Sequence, residues 1–166
     1  MTEIEISVEN ILVNETVDSN EEIIRRLGTL LQKNGYVKDT YLQSVLDREI
    51  IFPTGLQTKT LGFAIPHTDA EHVKKTTVAI ATLEKPVIFR EMGSADDEIS
   101  VSVVMMLAVR DPKQVVDTLV KVISILENEV TIEKLEKATT ALEIYDAFYE
   151  HIQQVSDKKA AGSISH

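Results

Sequence analysis

Apolar residues recur at helical spacing in the first third of the chain. Residues 18–34 place one apolar face inward, carry a capping-box pattern at Ser19 and Glu22, and are followed by Gly35. Residues 39–50 repeat this pattern, with Asp39 as the predicted cap and an inward face of Tyr41, Leu42, Val45, Leu46 and Ile50. Pro53 and Gly55 then interrupt it. We therefore predict two amphipathic helices followed by a loop.

From residue 61 the apolar spacing becomes that of β-strands. Runs rich in β-branched and aliphatic residues occupy 61–65, 76–83, 86–89 and 99–109, and the turn-prone sequences PHTDAEH, EK and GSADDE separate them. The last run is apolar at nearly every position, which is typical of a strand covered on both faces.

Helical spacing returns after the strands. Residues 112–128 are predicted to form a helix with Pro112 in its first turn, and further helices are predicted near 131–138 and 140–154, the last with a capping box at Thr140 and Glu143. The small and polar tail, 156–166, is predicted to be disordered. The order of elements predicts one α/β domain of two or three layers over residues 1–155.

Composition narrows the class of protein. None of the 166 residues is a cysteine, which excludes disulfides, thiolate nucleophiles and cysteine-based metal sites. The formal net charge of −10 disfavours binding to nucleic acid. The N-terminus does not resemble a signal peptide, and no stretch approaches the roughly 20 apolar residues of a membrane span. We therefore predict a cytoplasmic protein that is not embedded in a membrane.

The candidate chemistry centres on the sequence GFAIPHTD, in which His67 follows a proline at the end of an apolar run. Of the other histidines, His151 and His166 are predicted to be solvated. A metal site built from His67, Asp69, Glu71 and His72 is possible in principle, but histidines five residues apart in a turn lack the usual ligand spacing. We therefore predict no metal and no cofactor.

Enzymes that depend on other short motifs are also disfavoured. The chain has no G-x-S-x-G nucleophile turn, no P-loop and no G-x-G-x-x-G loop. A neutral imidazole, with an ordinary pKa of about 6.5, can itself accept a phosphoryl group near pH 7. From the local sequence, His67 as such a nucleophile and His67 as an inert surface histidine remain equally open.

A resemblance over roughly residues 5–153 favours the nucleophile. GFAIPHT resembles the phosphorylation motif of enzyme IIA proteins of the phosphoenolpyruvate-dependent sugar phosphotransferase system, in the fructose–mannitol superfamily. The stretches DREIIFPTGLQTKTLGFAIPHTDAEHV and PVIFREMGSADDEISVSVVMMLAV resemble the segments around it, and FPTGL and IPHTD look most like the galactitol-type branch.

The resemblance implies an α/β sandwich with a mixed central β-sheet flanked by helices. It also implies a phosphoryl relay, in which phospho-HPr phosphorylates Nε2 of His67 and His67 passes the group to a cysteine of enzyme IIB, the partner of the membrane enzyme IIC. Arg48, Glu49, Thr54 and Gly55 match the residues beside the site in the family. Arg48 would neutralise phosphoryl oxygens, and Thr54 would bond to the imidazole or to the phosphoryl group.

Two departures from the superfamily pattern matter. Thr68 stands where many members have glycine, as it does in some galactitol-type relatives. The helix after the central strand lacks the second histidine of mannitol-type members and offers Lys113 and Gln114 instead. His72 does not match that histidine by motif, and its role stays open.

Two regulatory interpretations remain beside sugar transport. One is a protein of the nitrogen branch, which accepts phosphate and controls other proteins by binding. The other is a module of a transcriptional activator, which the lack of a DNA-binding segment in this chain disfavours.

Overall fold

A five-stranded mixed β-sheet forms the middle layer of the protein. The computed structural model describes the backbone of residues 4–164, and all their side chains except those at 95 and 154–164. The strands are β1 (Ile11–Glu15), β2 (Gly55–Gln57), β3 (Gly62–Ala64), β4 (Thr77–Glu91) and β5 (Ser94–Ala108). The helices are α1 (Asn20–Lys33), α2 (Tyr41–Ile51), α3 (Val115–Ile123), α4 (Glu129–Lys137) and α5 (Ala141–Ile164).

The two long strands, β4 and β5, pair antiparallel along most of their length and turn at Met92 and Gly93. Gly93 has a φ of 81°, a conformation that glycine adopts without steric cost. β1 runs parallel to β4, β3 runs parallel to β5, and β2 pairs antiparallel with β3 while meeting β4 where Gly55 lies opposite Glu91. The sheet is therefore mixed, as the resemblance implied.

Alternate residues of the central strands enter different apolar cores. Ala79, Ala81, Val104 and Met106 pack with α1 and α2, whereas Val78, Ile80, Val103 and Met105 pack with α3, α4 and α5. Successive side chains of a strand point to opposite faces, so the unbroken apolar run of β5 supplies both cores at once. The fold is an α/β sandwich with helices on both faces of the sheet.

The helix ends confirm several predictions from the sequence. The Ser19 hydroxyl accepts a hydrogen bond from the Glu22 N–H, the Glu22 carboxylate accepts one from the Asp18 N–H, and Gly35 follows α1 with a φ of 83°. Thr140 likewise accepts from the Glu143 N–H before α5. Pro112 lies at the start of a 3-10 turn, Pro112–Gln114, that leads into α3.

Other predictions for the N-terminal half were wrong. Thr40, not Asp39, precedes α2, and Ile50 is exposed rather than inward. The sequence analysis did not predict β1, because the apolar and polar residues of 11–15 do not alternate. Asn14, with a φ of 52°, makes the strand irregular, and pairing with β4 holds the segment in the sheet.

The predicted turns EK and GSADDE lie largely within strands. Glu84 and Lys85 are part of β4, where the pairing shifts between Thr82 and Val87 and so accommodates Pro86. The segment predicted as one helix at 112–128 is divided into two 3-10 turns, Pro112–Gln114 and Ser124–Glu127, with α3 between them.

The structure describes one of the two C-terminal histidines, His151. His151 is buried, not solvated, and its Nε2 lies 2.8 Å from the Ser124 hydroxyl oxygen. It follows Ile144 and Phe148 at helical spacing, which places it on the buried face of α5. The backbone of α5 continues to Ile164, through most of the segment predicted to be disordered, and His166 lies outside the described residues. The domain boundary at residue 155 stays a prediction.

Over residues 4–164, we find no helix with both the length and the hydrophobicity needed to cross a membrane.

Replacing Gly62 should destabilise the strand that leads to His67. A Cβ atom at Gly62 would overlap the Ser100 carbonyl oxygen of β5, and neither backbone can move freely. We expect Gly62→Ala to lower the free energy of unfolding by about 1–3 kcal/mol, measured by chemical denaturation.

The matched control is Gly28→Ala in α1. There the added Cβ meets Cδ1 of Leu42 at 2.7 Å, the movable end of a side chain, and alanine favours the helix by about 1 kcal/mol. The control should therefore lose less stability. Wild-type stability of Gly62→Ala would contradict the proposed close approach of β3 to β5.

Candidate functional site

His67 lies beyond the end of β3, at the edge of the sheet where the parallel strand β5 also ends. The backbone between them is held in place, because the Leu107 N–H donates a hydrogen bond of 3.0 Å to the carbonyl oxygen of Pro66. Ile65 and Pro66 are buried, whereas His67 is half-buried. The short segment after β3 therefore carries the imidazole from the core to the surface.

The imidazole of His67 is oriented by its own backbone. Its Nδ1 lies 2.8 Å from the Ile65 carbonyl oxygen. A carbonyl oxygen can only accept, so Nδ1 carries the proton and Nε2 keeps its lone pair. Nε2 is thus the ring nitrogen whose lone pair is available to act as a nucleophile.

The surroundings of His67 favour the neutral ring. Burial lowers the pKa of His67 below its ordinary value of 6.5, and the positive charge of Arg48 lowers it further. The hydrogen bond to Ile65 and the carboxylate of Asp69 act in the opposite direction. Because burial is the largest effect, the imidazole is mainly unprotonated at pH 7.

Arg48 approaches the same loop from the last turn of α2. Its Nη1 lies 4.0 Å from Oδ1 of Asp69, and its guanidinium carbon lies 5.1 Å from the ring centre of Phe52. Its side chain is 36% exposed, so the cation faces both the loop and solvent. The predicted pair of His67 and Arg48 therefore lies at one site.

A second contact joins α2 to this loop one helical turn earlier. The hydroxyl oxygens of Ser44 and Thr68 lie 2.5 Å apart, and Thr68 is buried. Glycine at position 68 could not make this contact. The threonine that departs from the superfamily pattern thus helps to position the helix that carries Arg48, a function that the sequence alone did not reveal.

Glu49 and Thr54 bind each other beneath the loop. The buried Glu49 carboxylate accepts hydrogen bonds from the Thr54 N–H at 2.7 Å and from the Thr54 hydroxyl at 2.8 Å. Burial raises the pKa of Glu49 to about 7, against these two hydrogen bonds and the charge of Arg48. The Thr54 hydroxyl oxygen also accepts from the Ile65 N–H at 3.2 Å. Thr54 therefore contacts the backbone that supports His67, and the expected hydrogen bond from Thr54 to the imidazole or to a phosphoryl group stays a prediction.

The sequence HTDAEH does not assemble a metal site. The Nδ1 of His72 lies 2.8 Å from the Thr40 hydroxyl, before α2, and its Nε2 lies 3.4 Å from Oε1 of Glu71. Among the side chains that the structure describes, no group of three or more metal-ligating residues could hold an ion. His72 instead links the turn Ala70–His72 to the start of α2.

The position of the missing second histidine is occupied by a capped turn. Asp111 accepts a hydrogen bond of 3.0 Å from the Lys113 N–H, and the turn Pro112–Gln114 then leads into α3. Since β5 ends at the same edge as β3, this turn and His67 share one end of the sheet.

Comparison with known proteins identifies the family. Residues 6–151 match the family described as phosphoenolpyruvate-dependent sugar phosphotransferase system, EIIA 2. The chain belongs to this enzyme IIA family. Members of this family are components of the phosphotransferase system. In this chain, helices flank a mixed sheet, as the family resemblance implied.

Individual relatives include both galactitol-type and mannitol-type proteins. The galactitol-specific EIIA component of Escherichia coli K12 is 32% identical over 93 residues, 56% of this chain and 61% of that protein. The match thus spans less than two thirds of the galactitol-specific relative. The mannitol-specific enzyme IIA component of Staphylococcus aureus N315 is 32% identical over 145 residues, which cover 87% of this enzyme IIA chain and 94% of the Staphylococcus aureus protein.

Solved structures agree with the fold. The crystal structure of IIA mannitol from E. coli has a TM-score of 0.70 at 30% identity, covering 87% of this chain and 99% of that one. The E. coli complex of enzyme IIAMtl with phosphorylated enzyme IIBMtl contains a similar chain, with a TM-score of 0.73, 29% identity, and coverage of 89% and 99%.

The charges beside His67 should shift its pKa in opposite directions when they are removed one at a time. Arg48→Gln should raise the pKa of His67, because a neighbouring cation is lost, and Asp69→Asn should lower it, because an anion is lost. NMR titration of the imidazole resonances measures both. A wild-type pKa above 6.5, or shifts of the same sign in both variants, would contradict the arrangement described above.

Proposed function

We propose that this chain is a phosphoryl carrier of a sugar phosphotransferase system, with His67 as the acceptor. Phospho-HPr donates to Nε2 of His67, and His67 passes the group to a cysteine of a cognate enzyme IIB during sugar uptake by enzyme IIC. The observation that carries the proposal is the Nδ1 hydrogen bond to Ile65, which leaves Nε2 with a free lone pair beside Arg48.

The transfer balances without a cofactor. The Nε2 lone pair of His67 attacks phosphorus, the phosphorus–nitrogen bond to the donor histidine breaks, and its electron pair returns to the donor imidazole. The second transfer repeats this step, with the cysteine thiolate as nucleophile and His67 as leaving group. At no stage does His67 lose its proton on Nδ1 to the reaction, so the hydrogen bond to Ile65 is kept throughout.

Arg48 is proposed to stabilise the phosphoryl oxygens. Its contact with Asp69 is long and partly solvated, so it costs little to exchange this carboxylate for a phosphoryl group on His67. A guanidinium can donate to two oxygens at once. Glu49 and Thr54 are proposed to support the site from beneath.

The surface next to Arg48 fits a protein partner. Ile50, Ile51 and Phe52, at the end of α2, are 77%, 66% and 58% exposed. Consecutive exposed apolar side chains are typical of an interaction surface. In the proposed relay, phospho-HPr and enzyme IIB use this surface in turn. A relative of this chain occurs in complex with phosphorylated enzyme IIB, which supports a partner of that class.

The type of sugar and the location are proposals of the same kind. The galactitol-specific relative and the motifs FPTGL and IPHTD favour the galactitol-type branch, and we propose a cytoplasmic carrier.

A regulatory role is the second candidate, because the transcriptional regulator ManR of Bacillus subtilis is 31% identical over 134 residues. Transfer of phosphate from this chain to the cysteine of an enzyme IIB encoded beside it would favour transport over regulation.

Phosphorylation should depend on His67 alone among the histidines. Incubation with phosphoenolpyruvate, enzyme I and HPr should add one acid-labile phosphoryl group to the wild-type protein and none to His67→Ala. His72→Ala is the matched control, because His72 bonds to Thr40 and should leave labelling intact. Labelling that persists in His67→Ala, or that maps to His72 in the wild type, would refute the assignment.

Removing Arg48 should slow phosphoryl transfer without unfolding the protein. The loss of a charge-assisted hydrogen bond costs about 1–3 kcal/mol, so Arg48→Ala should accept phosphate about ten- to a hundredfold more slowly. Arg48→Lys should lie in between, since it keeps the charge and loses the two-pronged geometry. Rapid-quench measurement of transfer from phospho-HPr gives the rates.

The matched control for Arg48 is Arg25→Ala on α1. Arg25 is an exposed arginine that pairs with Glu21, and its removal should not change the transfer rate. If Arg48→Ala matched the wild-type rate in both directions of transfer, Arg48 would be only a surface charge.

A further inference from the structure

A chain of hydrogen bonds connects a buried carboxylate to the reactive imidazole. Glu49 accepts from the Thr54 hydroxyl, whose oxygen accepts from the Ile65 N–H, and the Ile65 carbonyl accepts from Nδ1 of His67. We propose that Glu49 is a positioning residue, which acts on His67 through Thr54 and the Ile65 backbone and does so fully only as a carboxylate. This inference rests on the proposed function for its effect on rate, but not for its geometry.

The direction of each hydrogen bond makes the network depend on charge. The Thr54 hydroxyl has one hydrogen, and it uses this hydrogen to donate a hydrogen bond to Oε1 of Glu49. Its lone pairs then face the Ile65 N–H. The Thr54 N–H is a second donor that points to Oε2 of the same carboxylate. Two donors converge on two acceptor oxygens, an arrangement that only the ionised carboxyl satisfies in full.

The supported backbone has few other ways to be held. β3 ends at Ala64, so Ile65 lies outside the strand, and Pro66 has no N–H to donate. The N–H of Ile65 bonds to Thr54, the carbonyl of Ile65 bonds to His67, and the carbonyl of Pro66 bonds to Leu107. Thr54 thus supplies one of the contacts that set where the Ile65 carbonyl points, and hence how the imidazole is oriented.

Protonation of Glu49 would weaken this support near neutral pH. Burial raises the pKa of Glu49 to about 7, so both charge states are populated there. A protonated carboxyl has one acceptor fewer, and either the Thr54 hydroxyl reverses or one of its hydrogen bonds is lost. Burial lowers the pKa of His67 and raises that of Glu49, so replacing Glu49 should remove one titration and leave the other.

Other charged groups lie around Glu49 and share its electrostatic environment. Arg48 neighbours it on α2 and lowers its pKa. A cavity of about 380 Å³ beside Glu49, between α1, α2 and β4, is lined by four further charged side chains: Glu21, Arg25, Asp47 and Arg90. Any titration assigned to Glu49 must therefore be shown to disappear when Glu49 itself is replaced.

The test uses the NMR signals of the two imidazole nitrogens of His67 in the full-length protein. In the wild type, the Nδ1–H tautomer should predominate, and its signals should shift with an inflection near pH 7, as Glu49 ionises. Glu49→Gln should abolish this inflection. Thr54→Val should mix the two tautomers, whereas Thr54→Ser, which keeps the hydroxyl, should restore the wild-type signals. Asp47→Asn, on the same helix and cavity, is the matched control and should retain the inflection.

Transfer kinetics give a second measurement. Misorientation of a reacting group by about 1 Å can cost a hundredfold in rate, so we expect Glu49→Gln and Thr54→Val to lower kcat for acceptance from phospho-HPr about ten- to a hundredfold with little change in KM. The wild-type kcat should rise from pH 6 to pH 8 as Glu49 ionises, and this rise should be absent in Glu49→Gln.

The outcomes separate the two proposals. Identical His67 tautomers and pH responses in the wild type, Glu49→Gln and Thr54→Val would refute the positioning role. A network that responds as expected in a protein that phospho-HPr does not label on His67 would refute the proposed function alone. Should Glu49→Gln fail to fold, the wild-type inflection and the Thr54→Ser and Thr54→Val pair still decide the matter.

Discussion

The pairing of β4 with β5 is the constraint on which the rest of this structure depends. The two 15-residue strands form one long antiparallel hairpin, and their alternate side chains enter separate cores on the two faces of the sheet. Because β3 adds in parallel to β5, its end lies at the edge where β5 leads into α3. The helix α2 covers the core on the α1 side of the sheet, near this edge. The loop that carries His67 thus lies between elements that the hairpin positions, and Gly62 allows the close approach that brings β3 there.

Within this frame, the chemistry of the site follows from a few polar contacts. The Ile65 carbonyl decides which imidazole nitrogen is free, burial keeps the ring neutral, and α2 brings a cation beside it. Ser44 and Arg48, one turn apart on α2, reach Thr68 and Asp69 in the loop. The Ser44–Thr68 contact holds α2 against the loop, so the guanidinium of Arg48, one turn later, stays beside the loop while its charge remains partly in solvent.

Several features of the site were accessible from the sequence because they are local. A proline before the histidine, an arginine near the end of an amphipathic helix, and a turn with proline and glycine are all patterns of neighbouring residues. The roles of Glu49 and Thr54 were less accessible. Motif resemblance placed them near the site, but the partner of the Thr54 hydroxyl is set by how the segment after α2 folds back over Ile65. Nothing in the local sequence of Thr68 indicated its contact with Ser44, since the two residues are 24 positions apart.

What the sequence determined by itself was the class of fold, most of the helices, the apolar central strand and the position of His67 just after the end of a strand. These depend on periodicity and on short motifs, which are read within one element. Tertiary structure decided what depends on contacts between distant segments. It held the irregular segment of β1 as a strand beside β4, buried His151 against Ser124, and left Ile50 exposed on a helix whose other face is covered. It also linked Glu49 to His67, because a hydrogen-bond network exists only where folding brings donors and acceptors within about 3 Å of each other.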